Sequence, residues 1–475
     1  MNTHLPGRDS ATRNIGLSKF LFAAFLSLFL HVPHSQAQTT TVYWNNVDQV
    51  IDGFGASDAF TSLSSSQANF FYGTNPGDIG LTILRTGVPD DGSCSTVNAT
   101  CAGQVGDMQL VLSIEPQVKI WSSPWSPPAS MKTNGSTSCT AGSGNGALSA
   151  GSYASYATYL TNYVKSVSTL YSINLYALSV QNEPDFCPSY DGAVWTGANL
   201  DTFIKSNLGP AFSSNNITSL IMMPEASQHN NLSSMADTTM GDPSAAAYVG
   251  INAWHDYDAS YNPPNSASNP YASQGKKYWE TEASAGSGFG PSLCGGCWDP
   301  SMADGLLWAA IIDDRMAVEN ANAWHYWWLV TLNNDNEGLV YTDGVTVAKR
   351  AYVLGNYSLF VRPGFNRIDA THIPQNGITV SAYKNPASGA LVIIATNQNS
   401  STVSQTFALN GTTTSSVTPW ITDATRNLVQ QPSLSVTGAS FAYTLPAYSV
   451  TSFVGNTSGA SDLPAPPSGL AAKVQ

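Results

Sequence analysis

The chain is short of charge. Only 10% of its 475 residues are Asp, Glu, Lys or Arg, where a soluble domain ordinarily carries about a quarter. Basic residues are the scarcer kind, with 18 Lys and Arg against 31 Asp and Glu. A surface of that sign repels phosphate backbones, which argues against nucleic acid as a partner and against polyanions in general. Long apolar runs are missing too. Phe20–Leu30 is about half the roughly 20 residues needed to cross a bilayer, and nothing later comes near that length, so no membrane span is expected. Cysteine is sparse, with six in all. A zinc reading of Cys294-Gly-Gly-Cys297 needs two further ligands, and the neighbouring sequence supplies none. No metal and no cofactor is expected.

What is present starts with an export signal. Arg8, Arg13 and Lys19 precede the apolar run, and Ser35-Gln36-Ala37 offers small residues for a signal peptidase, so residues 1–37 read as a signal peptide. Their removal takes away those three basic groups and Asp9, leaving 15 basic residues against 30 acidic ones. The expected location is secreted, either extracellular or periplasmic, where cysteines pair. Cys94 and Cys101 close a loop-like stretch. Cys139 with Cys187, and Cys294 with Cys297, complete an even set, although spacing alone does not fix the pairing.

Three textures follow. Residues 38–52 read as a lone strand. Across 53–355, strand-like runs alternate with helical ones: Leu81–Arg85, Gln117–Trp121, Leu175–Val180, Leu220–Met223, Ile251–Trp254, Lys277–Trp279 and Ala321–Trp328, with a helical period over Tyr153–Leu170. Such alternation over about 300 residues predicts a parallel α/β fold, and the (β/α)8 TIM barrel matches its size. Residues 356–455 change to short alternating strands split by Asn-Gly and Ser/Thr turns, an antiparallel β-sandwich side domain that the N-terminal strand is expected to join. Residues 456–475 read as a linker followed by the opening of a truncated fibronectin type III module.

In a barrel of this kind, chemistry sits at the carboxyl ends of the strands. Gln181-Asn182-Glu183-Pro184 follows one strand run, and Glu280-Thr281-Glu282 ends another 99 residues later. Two carboxyls facing across a sugar ring are what glycosidic cleavage needs, one to protonate the leaving oxygen and one to attack the anomeric carbon. Glu280 lies two residues back on the strand, one pleat below the expected substrate level. Aromatic side chains crowd the strand ends, among them Trp121, Trp125, Trp254, Trp279, Trp324, Trp327 and Trp328, and offer faces on which sugars stack. One of Trp327 and Trp328 is expected in the barrel core.

Several segments resemble glycoside hydrolase family 30, within the clan of retaining barrel glycosidases. They are Ile51-Asp-Gly-Phe-Gly55, Ser123-Pro-Trp-Ser-Pro-Pro-Ala-Ser-Met-Lys132, Gln181-Asn-Glu-Pro-Asp185, the later Trp279-Glu-Thr-Glu282 and Phe360-Val-Arg-Pro-Gly364. The resemblance implies Glu183 as acid/base and Glu282 as nucleophile. It implies Asn182 on the sugar 2-hydroxyl, Arg85 beside Glu282, His255 and Tyr257 against the catalytic carboxyls, Trp125 in the cleft, and Trp324 as floor of the cleaved-sugar subsite. Glu225 in Met-Pro-Glu-Ala resembles a non-catalytic position lining the cleft. The family's glucuronoxylan-specific members carry arginines just after the eighth strand, whereas Trp327–Asn334 here holds no basic residue. The expectation is therefore a monomeric endo-β-1,4-xylanase acting on a plant polysaccharide, with β-1,6-galactanase or β-1,6-glucanase as the alternative. A carbohydrate-binding protein on an inactive scaffold would have lost one glutamate, and both are present.

Overall fold

The computed structural model describes residues 38–142, 146–257 and 269–457. The signal peptide expected at 1–37 and most of the linker and module start expected at 456–475 lie outside the described residues.

Eight parallel strands close into a barrel: Gly53–Ser57, Ile83–Val88, Lys119–Pro124, Ala177–Ser179, Leu220–Ala226, Val249–His255, Lys277–Glu282 and Ala323–Val330. Closure comes from the last strand pairing with both the seventh and the first, Trp279 opposite Ala323 and Phe54 opposite Trp324. The interior layer alternates bulk, with Trp121 and Trp279 among Ile83, Met222, Ile251, Ala177, Ala253 and Ala323. Trp279 stacks on Tyr176 at 5.6 Å and donates to Asp52 at 2.9 Å. Lys277 also donates to Asp52, which closes the amino-terminal end of the barrel and leaves the carboxyl end as the open one.

The first strand, Gly-Phe-Gly-Ala-Ser, escaped the strand pattern because glycine depresses β propensity. The barrel nonetheless requires those glycines. A Cβ at Gly55 would lie 2.7 Å from the Ile83 carbonyl and 2.8 Å from the His325 ring, and Gly53 sits at φ +139°. The helix expected over Tyr153–Leu170 spans Tyr153–Tyr171.

The N-terminal strand Thr39–Val50 pairs with Asn366–Ala370 and Val403–Asn410, inside a ten-stranded sheet outside the barrel. By strand order Phe407 and Phe453 are far apart, yet their rings lie 5.0 Å from one another, and Phe441 packs on both. The sheet therefore folds over its own core, which gives the sandwich-like layering. The boundary expected at residue 355 falls inside the helix Lys349–Ser358, which packs against both the barrel and this sheet. The three disulfides are Cys94–Cys101, Cys139–Cys187 and Cys294–Cys297.

Candidate active site

Glu183 stands just past the short fourth strand in a left-handed backbone, φ 46°. Such a conformation costs a non-glycine residue about 1–2 kcal/mol and persists only where neighbours impose it. Here Asn182 N donates to the Pro124 carbonyl at 2.9 Å and Glu183 N to the Glu225 carbonyl at 3.0 Å, so the third and fifth strands hold the turn from both sides. Glu282 ends the seventh strand. Its carboxyl accepts from the Tyr257 hydroxyl at 2.6 Å and from Arg85.

Arg85 organises the floor. Fully buried on the second strand, it pairs with Glu282 and Glu225 and donates to Asn182 Oδ1 at 2.6 Å. Its guanidinium lies 4.8 Å from the Trp125 ring and 5.1 Å from that of Trp327. His255 links the acids, with Nδ1 3.0 Å from Glu183 and Nε2 3.3 Å from Glu225 and 3.7 Å from Glu282.

The electrostatics separate Glu183 from Glu225. Burial raises Glu183, and the nearby charge of Glu282 adds to that, against the opposing hydrogen bond and charge of His255. Burial would raise Glu225 as well, but Arg85 and His255 outweigh it and hold it below the ordinary value. Burial would lower His255, yet the charge of Glu282 and hydrogen bonds to Glu183 and Glu225 prevail and hold it up at about 10. Two cations, Arg85 and His255, thus face three acids. The directions of shift favour a proton on Glu183 over one on Glu225. One donor atom each from Glu183, His255 and Glu282 falls within 4.8 Å of the others, a spacing compact enough for a metal ion. Those donors are already turned on one another and on Arg85 and Tyr257.

Three expectations need correction. Trp324 is not the subsite floor. It is buried on the outer face of the eighth strand, 6.2 Å from Trp308 and 6.3 Å from Tyr326. The strand alternates, Ala323 facing inward and Trp324 outward toward the helices, so the cleft falls to Trp327. A register shift opposite Ser57 then turns Trp328 to the cleft too, and neither residue of the pair belongs to the barrel core. Glu225, expected to line the cleft, lies wholly beneath it and accepts from Arg85, from His255 and from Ser123 at 2.7 Å. Of the other tryptophans, Trp121 and Trp279 fill the barrel and Trp254 packs on Tyr278 at 4.0 Å. Glu280 is fully buried, with its oxygens accepting the backbone N–H groups of Glu282 and His325 at 2.8 and 2.7 Å.

The cleft encloses about 710 Å³ above Glu183 and Glu282, with Asn182, Trp125 and Tyr257 also in its walls. Sequence reasoning missed Phe60, Phe186, Tyr190, Phe289 and Glu337, all on loops whose approach to the cleft leaves no periodic trace.

Comparison with known proteins decides the family. A model of the glycosyl hydrolase family 30 TIM-barrel domain matches residues 101–349. The chain is 31% identical over 432 residues to the glucuronoxylanase XynC of Bacillus subtilis (strain 168), covering 88% of this chain and 92% of that one. The chain belongs to glycosyl hydrolase family 30. Among solved structures, a family 30, subfamily 8 xylanase from Clostridium acetobutylicum shares 34% identity at a TM-score of 0.76, covering 88% of this chain and 99% of its own. A family 30 endoxylanase from Clostridium papyrosolvens shares 33% at 0.74, covering 88% and 100%. As a family 30 member with this barrel, the protein is a glycosyl hydrolase.

Proposed function

We propose that this family 30 hydrolase is a secreted, endo-acting β-1,4-xylanase that works by double displacement, with Glu282 as nucleophile and Glu183 as general acid and then general base. The observation that carries this reading is the approach of the two carboxyls, with an oxygen of each within 4.8 Å of the other. Retaining enzymes hold the pair at about 5–5.5 Å, whereas inverting ones need about 6.5–9.5 Å to admit a water. Glu282 attacks the anomeric carbon while Glu183 gives its proton to the departing oxygen. Glu183 then takes a proton from water, which releases the glycosyl group from Glu282. Tyr257 and Arg85 hold the attacking carboxylate in place. Asn182 has its Oδ1 occupied by Arg85, which leaves its amide nitrogen for the sugar 2-hydroxyl.

Relatives that are xylanases support xylan as the substrate. No Lys or Arg lines the cleft among the described residues, while Glu183, Asp191, Glu282 and Glu337 do. Residues 258–268, which follow Tyr257 in the sequence, include no basic residue either. A uronic acid branch would lose its hydration there with no cation to meet it, so the reading is cleavage of xylan without dependence on glucuronate. Reducing-sugar release from linear xylan, glucuronoxylan, arabinogalactan and pustulan tests this. Release from both xylans at rates within a few-fold is expected. Activity confined to arabinogalactan or pustulan overturns the xylanase reading, and activity confined to glucuronoxylan overturns the neutral-substrate reading.

A further inference from the structure

Phe60 is in an unusual position for a phenylalanine. It follows the first barrel strand with its side chain 58% exposed, and its backbone lies in the left-handed region at φ 65°. Few bulky residues adopt that conformation, and an exposed phenyl ring gains little from burial to offset it. The turn around it is firmly held. Thr61 N donates to the Asp58 carbonyl at 2.9 Å, Gln104 Nε2 donates to the carbonyls of Asp58 and Thr61 at 2.7 and 3.0 Å, and Trp328 Nε1 donates to the Ala59 carbonyl at 2.9 Å. Strain imposed by a rigid frame and spent on exposing an apolar ring marks a functional position rather than a packing one.

The ring also borders the cleft. It meets Trp125 edge-on at 4.9 Å, and Trp125 lies 4.8 Å over the Arg85 guanidinium that pairs with Glu282. Phe60 is thus one aromatic ring farther from the paired carboxyls than Trp125, on a continuous apolar wall.

We propose that Phe60 is a substrate-binding residue for a sugar ring beyond those at the cleavage point, giving the enzyme its preference for longer chains. The inference rests on the xylanase reading for the identity of that sugar, a neutral β-linked xylose. The left-handed turn leaves the Phe60 ring exposed beside Trp125, and a further pyranose of the bound chain covers it through its apolar C–H surface.

The test compares kcat/KM on a ladder of linear xylo-oligosaccharides from the shortest one cleaved to the hexamer, for wild type, Phe60→Ala, Phe60→Trp and Phe60→Gly. Phe60→Ala is expected to lower the long-to-short ratio of kcat/KM by roughly three- to tenfold, the worth of one aromatic contact, and Phe60→Trp to restore it. Phe60→Gly is expected to lower the ratio likewise while its melting temperature stays level or rises, because glycine accepts φ 65° without strain. A ratio within twofold of wild type in both Phe60→Ala and Phe60→Gly overturns the proposal while leaving the xylanase reading intact. No cleavage of any xylo-oligosaccharide by the wild type defeats the xylanase reading and this inference with it.

Discussion

Replacing Glu183 with Gln keeps the side chain's shape and removes its proton. General acid assistance of this kind is worth about 10²–10⁴ in rate, or about 2.7–5.5 kcal/mol of barrier. The loss should depend on the leaving group. A xylo-oligosaccharide leaves as a poor alkoxide and needs the proton, so kcat/KM should fall across that full range. A dinitrophenyl xyloside leaves without help, and its kcat/KM should fall by less than about tenfold. The pH profile gives a second readout. Burial raises Glu183, so the wild type's kcat/KM on oligosaccharides should hold above the ordinary carboxyl range and then decline as pH climbs through that raised value. His255, held up at about 10, stays charged through most of this window, so the decline belongs to Glu183. Glu183→Gln should erase that basic limb. Equal losses on both substrates, with the basic limb still in place, would refute the assignment of Glu183.

The remaining predictions concern stability and the aromatic walls. His255 is raised in the folded state from an ordinary 6.5 to about 10. The stability it contributes is therefore fully present below pH 6.5 and is lost as pH rises through 10, on the order of a few kcal/mol. Melting temperatures at pH 6 and pH 9.5 should differ more in wild type than in His255→Gln, and equal differences would contradict the burial of a charged histidine. Trp324→Ala should cost about 3–5 kcal/mol of stability by denaturant unfolding with kcat/KM of the folded fraction preserved. Trp327→Ala, which strips the ring 5.1 Å from Arg85, should do the reverse and cost roughly tenfold in kcat/KM, measured by steady-state kinetics. The opposite pattern would restore Trp324 to the cleft.

Much of the barrel was legible because seven of its strands carry apolar runs with helical spacing between them, and the helix from Tyr153 announced itself by period alone. The first strand, Gly53–Ser57, was hidden for a steric reason, since the residues that fit against Ile83 and His325 are glycines. At the site, Glu183 and Glu282 stood out by their places after strands, and the structure sets Asn182, Arg85, His255 and Tyr257 around them. The tryptophans were read less well. Alternation would have turned Trp324 outward had the inward phase been anchored on Ala323, while the register shift that brings Trp328 inward leaves no mark in sequence. Glu225 was undervalued because its importance comes from Arg85, Ser123 and His255, which converge on it from 140, 102 and 30 residues away.

The most direct test of the central claim is the configuration of the first product. Proton NMR of a xylo-oligosaccharide digest, recorded before the sugar mutarotates, should show the β-anomer appearing first if Glu282 attacks and Glu183 then activates water. Initial release of the α-anomer would mean a single displacement and would contradict the two-glutamate mechanism.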